Sequence, residues 1–208
     1  MPTSPSRPLP PLYLASQSPR RQEILREIGI PFSVISSPYN ENLADVAELP
    51  PSEQATKLAA LKAFHAAKNI STGLVIGADT IVVLEKHILG KPRDREDARQ
   101  MLEMLAGKAH RVITGIALVD AGGLSTITHA EVTKVYFRGV SATEISRYLD
   151  TPEPYDKAGA YAIQGLAGLF VERIDGCYYN VVGFPLVAFS RLMKEAGYDL
   201  FQYIGKPC

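Results

Sequence analysis

The sequence has little of several features that would place it in a special class of protein. It contains two cysteines, Cys177 and Cys208, and no tryptophan. The spacing of the cysteines matches no metal-binding motif, and one of them is the last residue, so neither a zinc site nor a disulfide framework is expected. This sparing use of cysteine fits a reducing, cytoplasmic location.

Long apolar runs and an excess of charge are also missing. Nowhere do about 18 apolar residues follow one another, as a membrane-spanning helix requires. The first eleven residues are rich in proline and serine and lack the apolar core of a signal peptide. Lys plus Arg and Asp plus Glu number 22 each, which argues against a membrane surface or a long nucleic acid as partner. Recognition of a small anion at one site is compatible with this balance.

What is present indicates one folded domain. The chain has 208 residues, of which 46% are hydrophobic, enough for a packed core. We expect residues 1–11 to form a disordered N-terminal tail and residues 12–208 a single domain, with room for two lobes. The fold class predicted from the pattern of strands and helices is α/β, with a mixed, twisted sheet flanked by helices.

Hydrophobic periodicity and capping residues predict the elements of this fold. Short strands on either side of a first helix give a βαβ-like opening, and two β-rich stretches around a Gly-Gly turn predict a long antiparallel hairpin. The predicted strands are 12–15, 32–36, 74–78, 81–84, 110–119, 124–137 and 169–174. The predicted helices start at Ser18, Ser52, Asp94, Ser141 and Pro185.

The helix that follows the first strand begins in an unusual way. It opens with Ser16-Gln17-Ser18-Pro19-Arg20-Arg21, in which Ser18 is a good N-cap and Pro19 a good first helical residue. Arg20 and Arg21 then fall in the first turn, where each exposed cation costs roughly 0.3–1 kcal/mol. A bound phosphate chain would reverse this cost, because guanidinium groups and helix N-termini both suit phosphate oxygens. The alternative is a solvated surface pair beside two nearby glutamates.

An acid interrupts the most apolar part of the sequence. Asp79-Thr80 lies between the runs Leu74–Ala78 and Ile81–Leu84. A carboxylate there is costly unless it is paired, hydrogen-bonded or bound to a metal. Asp79 is therefore a candidate functional residue, and a hydrogen-bonded turn aspartate between two strands is the alternative.

Other charged residues have both a functional and an ordinary interpretation. Lys62 lies near the edge of the apolar stripe of the second helix, where a lysine often packs its stem and keeps its ammonium group in water. Gly90-Lys91-Pro92 is no P-loop, since Glu85 stands where the motif needs glycine and Pro92 follows the lysine. The segment from Glu153 to Gly165 mixes glycine, aromatic and ionisable residues, which suits a binding loop.

Four segments, taken in their order and spacing, resemble the Maf nucleotide pyrophosphatases. They are Leu14–Arg21, Gly77–Thr80, Gly90–Pro92 and Asp156–Gly165. The resemblance runs from about Leu12 to about Gly197 and includes Lys62-Ala63, His110, Thr114-Gly115, Thr133 and Asn180–Pro185. It implies a cleft between two lobes, as in inosine triphosphatases. It also implies hydrolysis of nucleoside triphosphates to the monophosphate and pyrophosphate, a need for a divalent cation, a house-cleaning role and a homodimer.

This resemblance gives each candidate residue a role. Mg²⁺ is the expected ion, with Mn²⁺ or Co²⁺ as alternatives, and the expected general base is Asp79. The residues expected to hold phosphates are Ser16, Ser18, Arg20 and Arg21. Charge on the reacting phosphates would be balanced by Lys62 and Lys91, and the metal would be bound by Glu41 and Asp79. Lys157 and Gln164 would shape the nucleoside side of the cleft, and the substrate would also be bound by Thr80, as a determinant of specificity, and by Gly165.

The dTTP/UTP branch of the family is the most similar one, on the residues Arg20, Thr80 and Gln164. The Gln164 amide offers a donor and an acceptor to the O4 and N3–H edge of uracil or thymine. Three positions depart from the family pattern. Asn40 stands beside Glu41 where an acidic pair is common, Ala162 replaces a glycine, and Cys177 replaces a serine. A positive φ at Ala162 would strain the loop.

Other functions remain open on the sequence alone. The pocket could belong to a non-catalytic nucleotide sensor that regulates septum formation through a protein partner. Within the enzyme class, an inosine or xanthosine triphosphate pyrophosphatase is the alternative. Long nucleic acids and membranes are not expected as partners.

Overall fold

Residues 8–39 and 46–205 are described by a computed structural model, and all structural statements concern those residues. The strands are β1 (Leu12–Leu14), β2 (Ser33–Val34), β3 (Leu74–Leu84), β4 (His87–Leu89), β5 (Ala109–Asp120), β6 (Thr126–Phe137) and β7 (Val171–Asp175). The α-helices are α1 (Pro19–Glu27), α2 (Pro51–Ala67), α3 (Arg95–Leu105), α4 (Ala142–Leu149), α5 (Tyr178–Val182) and α6 (Leu186–Glu195). Short 3-10 turns cover Glu153–Asp156, Ala158–Ala160, Leu166–Phe170 and Leu200–Gln202.

The seven strands form one mixed sheet in the order β2-β1-β3-β5-β6-β7, and β4 pairs with β3. β1 runs parallel to β2 and to β3, and the pairs β3–β5, β5–β6 and β6–β7 are antiparallel. The predicted mixed sheet, its βαβ opening and the β5–β6 hairpin are therefore confirmed. Within the described chain, no helix has both the length and the apolar character needed to cross a membrane.

Strand β3 lies in the middle of the sheet and contributes side chains to the packing on both faces. On one face, Leu74, Ile76 and Ala78 join a cluster with α1 and α6, whereas Val82 and Leu84 join a second cluster with α3 and α4. On the other face, Val75 packs against the alanines of α2. Because successive residues of a strand point to opposite faces, Asp79 belongs to the α2 face and Thr80 to the face between the two clusters.

Helix α2 lies unusually close to the sheet. A Cβ atom added at Gly77 would lie 2.1 Å from the carbonyl oxygen of Ala59, and one at Gly115 would lie 2.2 Å from that of Ala55. Two strand glycines facing helix alanines thus remove the side chains that would hold the two layers apart. This close approach sets the height of α2 above Asp79, which pairs with Gly115 in the β3–β5 register.

Several local predictions are confirmed and others are corrected. Asp94 caps α3 through a bond from the Asp97 amide, and Ser141 forms the predicted capping box with Glu144. Helix α2, however, begins at Pro51 with Pro50 rather than Ser52 as its N-cap. Asp79 lies inside one continuous strand and not in a turn between two strands.

The sequence predicts a disordered tail over residues 1–11, of which the structure describes residues 8–11. Residues 1–7 of the predicted tail lie outside the described residues. Further along, the Pro11 carbonyl accepts a hydrogen bond from the Leu74 amide (2.9 Å) and the Pro10 carbonyl accepts one from the Tyr203 hydroxyl (3.0 Å). The last residues before β1 are thus joined to the domain.

Candidate active site

The first part of the site is an ion pair between α2 and β3. The Lys62 ammonium nitrogen lies 2.6 Å from Asp79 Oδ1, and the two side chains are 15% and 13% exposed. The close packing of α2 on the sheet brings the lysine over the strand. The sequence offered a lysine with its ammonium group in water as the alternative. The structure shows instead an ion pair in which both side chains are largely buried and still partly exposed.

The second part is the loop that follows β1. β1 ends at Leu14, and α1 begins at Pro19 after Ser18, whose backbone is extended and whose hydroxyl forms no capping bond within the described chain. The Ser16 hydroxyl accepts a 3.3 Å hydrogen bond from the Ser18 amide. The first turn of α1 contains no acid, so the N-terminal N–H groups and their partial positive charge have no carboxylate among the residues of that turn.

Among the described residues, the Arg21 guanidinium donates to four acceptors on three parts of the chain. Its Nε donates to the Gly183 carbonyl at 2.8 Å, and its Nη2 donates to Thr80 Oγ1 at 3.0 Å. Its Nη1 donates to Ser16 Oγ at 3.1 Å and to the Ala78 carbonyl at 2.9 Å. These contacts join the loop, β3 and the end of α5 through Arg21, and its predicted contact with phosphates stays a prediction.

The Arg21 guanidinium also continues the hydrogen bonding along β3 beyond the end of β1. The Ala15 amide donates to the Ile76 carbonyl at 2.8 Å, and the next carbonyl on that side of β3, that of Ala78, is bound by Arg21. The side chain therefore supplies the donor that β1 would supply if the strand were longer. The backbone leaves the sheet after β1 and turns into α1 at the level of β3 where Asp79 lies. Ligands of open α/β sheets commonly bind at such strand ends.

A buried polar network supports this crosslink. Thr80 Oγ1 lies 2.9 Å from Thr114 Oγ1, which donates to the Asn180 carbonyl at 3.0 Å. The Asn180 side chain accepts from the Thr114 amide at 3.1 Å and donates to Thr133 Oγ1 at 2.9 Å. Because Thr114 gives its proton to Asn180, the proton between the threonines comes from Thr80, whose oxygen accepts from Arg21. Every hydroxyl in this chain of bonds has a donor and an acceptor, as burial requires.

Arg20 lies near the carboxylates of the loop predicted to bind the nucleoside. Burial lowers the pKa of Arg20, and the nearby carboxylates of Asp156, Glu23 and Glu153 act in the opposite direction. The guanidinium stays charged, since arginine is protonated at any ordinary pH. The two consecutive arginines therefore have different described neighbours: Arg21 donates to backbone carbonyls and hydroxyls, and Arg20 lies near carboxylates.

The two predicted lysines beyond β3 lie on neighbouring segments. The Gly159 amide donates to the Gly90 carbonyl at 2.9 Å, which joins the Gly90–Pro92 segment to the loop. Lys157 is paired with Asp156 and is 14% exposed, whereas Lys91 is exposed. The predicted alternative for Lys157, a pair with its neighbour, is thus observed.

Gln164 and Gly165 lie in an exposed turn of the same loop. The Gly165 amide donates to the Ala162 carbonyl at 3.1 Å. The positive φ considered for Ala162 occurs instead at Ala160, with φ of 59°. The replacement of glycine by alanine at 162 therefore leaves the turn without the strain that a positive φ would bring.

The predicted metal ligands are only partly within the described residues. Glu41 and its neighbour Asn40 lie outside them. The described part of the chain contains no group of three or more His, Cys, Asp or Glu side chains arranged around one point. Asp79 keeps its second carboxylate oxygen clear of the 2.6 Å contact with Lys62. Mg²⁺ is commonly bound by one or two carboxylates together with substrate phosphates. The second carboxylate oxygen of Asp79 is suited to such a site.

The sequence assigns no role to His110 beyond its place in the family pattern. In the structure it has a hydrogen-bonding partner in the loop. Its Nε2 lies 2.8 Å from the Tyr161 hydroxyl, and the ring packs edge-on against Phe137 and Tyr161. Burial lowers the pKa of His110 to about 4, so the ring is neutral at pH 7. The buried pair ties the loop to β5 a few residues before Gln164.

The predicted site residues thus form two groups that meet at α1. One group comprises Ser16, Ser18, Arg21, Lys62, Asp79 and Thr80 around the end of β1. The other comprises Arg20, Lys91, Lys157, Gln164 and Gly165 around the loop. Two residues with roles in the arrangement, Thr114 and Asn180, appeared in the sequence analysis without a role, and Glu153 was named only as a member of the loop.

Comparison with known proteins identifies the family of this chain. The family model described as "Maf-like protein" matches residues 11–196. A dTTP/UTP pyrophosphatase of Alkaliphilus oremlandii is 51% identical over 88% of this chain and 95% of its own length. Proteins of the same name from Desulforamulus reducens and Carboxydothermus hydrogenoformans are 47% and 46% identical, over 91% and 90% of this chain and 98% and 99% of their own lengths. The chain belongs to the Maf family.

Proposed function

We propose that this chain is a nucleoside triphosphate pyrophosphatase that hydrolyses dTTP and UTP to the monophosphate and pyrophosphate. The observation that carries the proposal is the meeting of the Lys62–Asp79 pair with the Ser16–Ser18 loop at the end of β1. A carboxylate, an ammonium group and free helix N–H groups at one place suit a reaction on a phosphate chain. The names of the related proteins support the choice of dTTP and UTP.

The phosphate chain is held by the N-terminal turn of α1. The Ser18 hydroxyl and the N–H groups of that turn donate to phosphate oxygens when the nucleotide is bound, and Arg20 adds a charge from the loop side. Arg21 acts differently from its neighbour. Through Ser16 and Ala78 it fixes the loop that presents these donors, so it positions the binding turn.

The reaction is an in-line attack of water on the α-phosphorus. The new bond joins the water oxygen to the α-phosphorus, and the bond to the oxygen that bridges the α- and β-phosphorus atoms breaks. Asp79 accepts a proton from the water, a contribution worth roughly 10²- to 10⁴-fold in rate. Lys62 and Lys91 balance the charge on the α-phosphate and on the departing pyrophosphate.

A divalent cation, Mg²⁺ in the first instance and Mn²⁺ or Co²⁺ as alternatives, would be held by Asp79 and Glu41 together with phosphate oxygens. When bound, it neutralises phosphate charge and orients the triphosphate. We further propose a cytoplasmic, house-cleaning role, and a homodimer for which the 78%-exposed Phe201 and the 46%-exposed Ile204 offer an apolar contact.

A nucleotide panel tests the proposal. Purified protein is incubated with UTP, dTTP, CTP, GTP, ITP and XTP, with Mg²⁺ or with excess EDTA, and pyrophosphate is measured. We expect the highest kcat/KM for UTP and dTTP and loss of activity in EDTA. Preference for ITP or XTP would assign the chain to the purine alternative, and nucleotide binding without pyrophosphate release would favour a sensor.

A further inference from the structure

The carboxylate of Glu153 lies at the centre of the loop that carries Gln164. Its Oε2 accepts a hydrogen bond from the Leu166 amide at 2.8 Å. Its Oε1 accepts one from the Ala167 amide at 3.2 Å and one from the Tyr148 hydroxyl at 3.1 Å. A single side chain thus binds the start of the 3-10 turn Leu166–Phe170 and connects it to α4.

The same carboxylate packs against the turn that presents Gln164. A Cβ atom added at Gly165 would lie 2.3 Å from Glu153 Oε2, so glycine is needed at 165 for the carboxylate to reach the amides behind it. Gln164 directly precedes this contact and is exposed. The backbone of the turn is therefore fixed on the inner side, while the amide side chain faces outward.

Tyr148 holds Glu153 from within the protein. It is 4% exposed, and its ring packs edge-on against Phe170 with 5.3 Å between ring centroids. Burial raises the pKa of Tyr148, and the Ala162 backbone is a hydrogen-bonding neighbour of its hydroxyl. The hydroxyl stays protonated and donates to Glu153. Residues on both sides of Gln164 are thus tied to one point on α4.

We propose that Glu153 is the positioning residue that sets base selectivity, by holding the Gln164 turn at a fixed distance from the nucleobase of the bound pyrimidine nucleotide. This inference rests on the proposed function. Selection of a base by one amide requires that the amide be held in place, because a site built to hydrogen-bond a substrate rejects an analogue only when its own groups cannot move away. Glu153 itself contacts the loop and not the substrate.

The test compares Glu153→Gln with a matched charge control, Glu23→Gln. The glutamine keeps the size of Glu153, but its NH₂ group cannot accept a hydrogen bond from a backbone amide. Glu23 is exposed on α1 and, like Glu153, places its charge near Arg20. Kinetic constants are measured for UTP and CTP, whose bases differ at the edge that Gln164 is proposed to contact. Tyr148→Phe, which removes one bond to Glu153, serves as a second variant.

We expect Glu153→Gln to lower kcat/KM for UTP about tenfold or more and to lower the ratio of kcat/KM for UTP over CTP about fivefold or more. Tyr148→Phe should shift this ratio in the same direction by less, and Glu23→Gln should leave it unchanged. Hydrogen exchange at the Leu166 and Ala167 amides should be faster in Glu153→Gln than in Glu23→Gln.

Three results would overturn the inference. If Glu153→Gln leaves the ratio of kcat/KM for UTP over CTP unchanged, even with a lower rate, the residue is merely structural. If that variant unfolds, an unchanged ratio in Tyr148→Phe has the same meaning. An equal shift in Glu23→Gln makes the effect one of charge near Arg20. A wild-type protein that does not hydrolyse UTP removes the proposed function and this inference together, whereas an active wild type with unchanged ratios removes this inference alone.

Discussion

Asp79 and Thr80 are neighbours in β3, yet their surroundings differ in kind. The Thr80 hydroxyl binds Arg21 and Thr114 in a chain of bonds that leads inward to the buried Thr114 and Asn180, and each hydroxyl in it has a donor and an acceptor. The Asp79 carboxylate has a charged partner, Lys62, and both side chains still reach solvent. A group whose bonds are all satisfied inside the protein stabilises the fold, whereas a charged pair open to solvent can act on a ligand. The same strand thus carries a residue that stabilises the fold, Thr80, and on its other face the proposed catalytic residue Asp79.

Asp79→Asn should give the largest effect and should separate chemistry from stability. We expect turnover of UTP to fall roughly 10²- to 10⁴-fold, because asparagine cannot accept the proton of the attacking water. Nucleotide affinity, measured by calorimetry, should change only several-fold. Asp150→Asn, which removes a carboxylate from the exposed pair with Arg95, is the control and should retain wild-type turnover. Turnover of Asp79→Asn within threefold of the wild type would exclude the residue as the base.

Asn180→Ala tests the opposite face. The side chain binds the Thr114 amide, the Val112 carbonyl and Thr133 Oγ1, so its removal leaves several buried polar groups without partners. We expect the free energy of unfolding in urea to fall by about 3–5 kcal/mol. Exposed Asn69→Ala should change it by no more than about 0.5 kcal/mol. A loss below about 1 kcal/mol for Asn180→Ala would mean that water replaces the network at little cost.

The buried histidine predicts a pH dependence of stability. Burial lowers the pKa of His110 from 6.5 to about 4, so the folded state binds its proton less readily than the unfolded state. The stability from neutral His110 is therefore complete above pH 6.5 and falls as the pH drops toward 4, by about 2–3 kcal/mol. His110→Gln should lose this part of the slope, whereas exposed His87→Gln should keep it. Identical slopes in both variants would show that His110 titrates normally.

Gly115→Ala should affect both stability and turnover, and its effect should be the smallest of these changes. The added methyl group would lie 2.2 Å from Ala55, so α2 must move. We expect a loss of about 1–3 kcal/mol in stability together with lower turnover, because Lys62 moves from Asp79. Gly139→Ala, where the new atom would meet nothing within 4 Å, should match the wild type in both measurements. Equal behaviour of the two variants would mean that α2 is not held by this contact.

The local part of the fold was predictable from the sequence, and the distant contacts were not. The capping box at Ser141 and the β5–β6 hairpin depend on neighbouring residues, and both were predicted. The role of Arg21 depends on Gly183, which is 162 positions away, and no local pattern indicates that pairing. The placement of Asp79 was misjudged because an acid between two apolar runs fits a turn as well as a strand.

The candidate site shows the same division. The residue types and order gave Ser16, Arg20, Lys62, Asp79 and Gln164 as candidates, and the structure brings them to two groups that meet at α1. The contact between Lys62 and Asp79 could not be predicted, because it depends on the distance between α2 and the sheet. Gly77 and Gly115 set that distance. That Glu153 would bind the Gln164 turn needed the path of the loop, which no spacing in the sequence reveals.

Hydrolysis of UTP in ¹⁸O-labelled water tests the central claim most directly, since it reports which phosphorus atom the site at the end of β1 presents to water. The products are separated and weighed by mass spectrometry. Attack at the α-phosphorus predicts one ¹⁸O atom in the UMP and none in the pyrophosphate, with no UDP formed. Label in inorganic phosphate together with UDP, or label in the pyrophosphate, would contradict it.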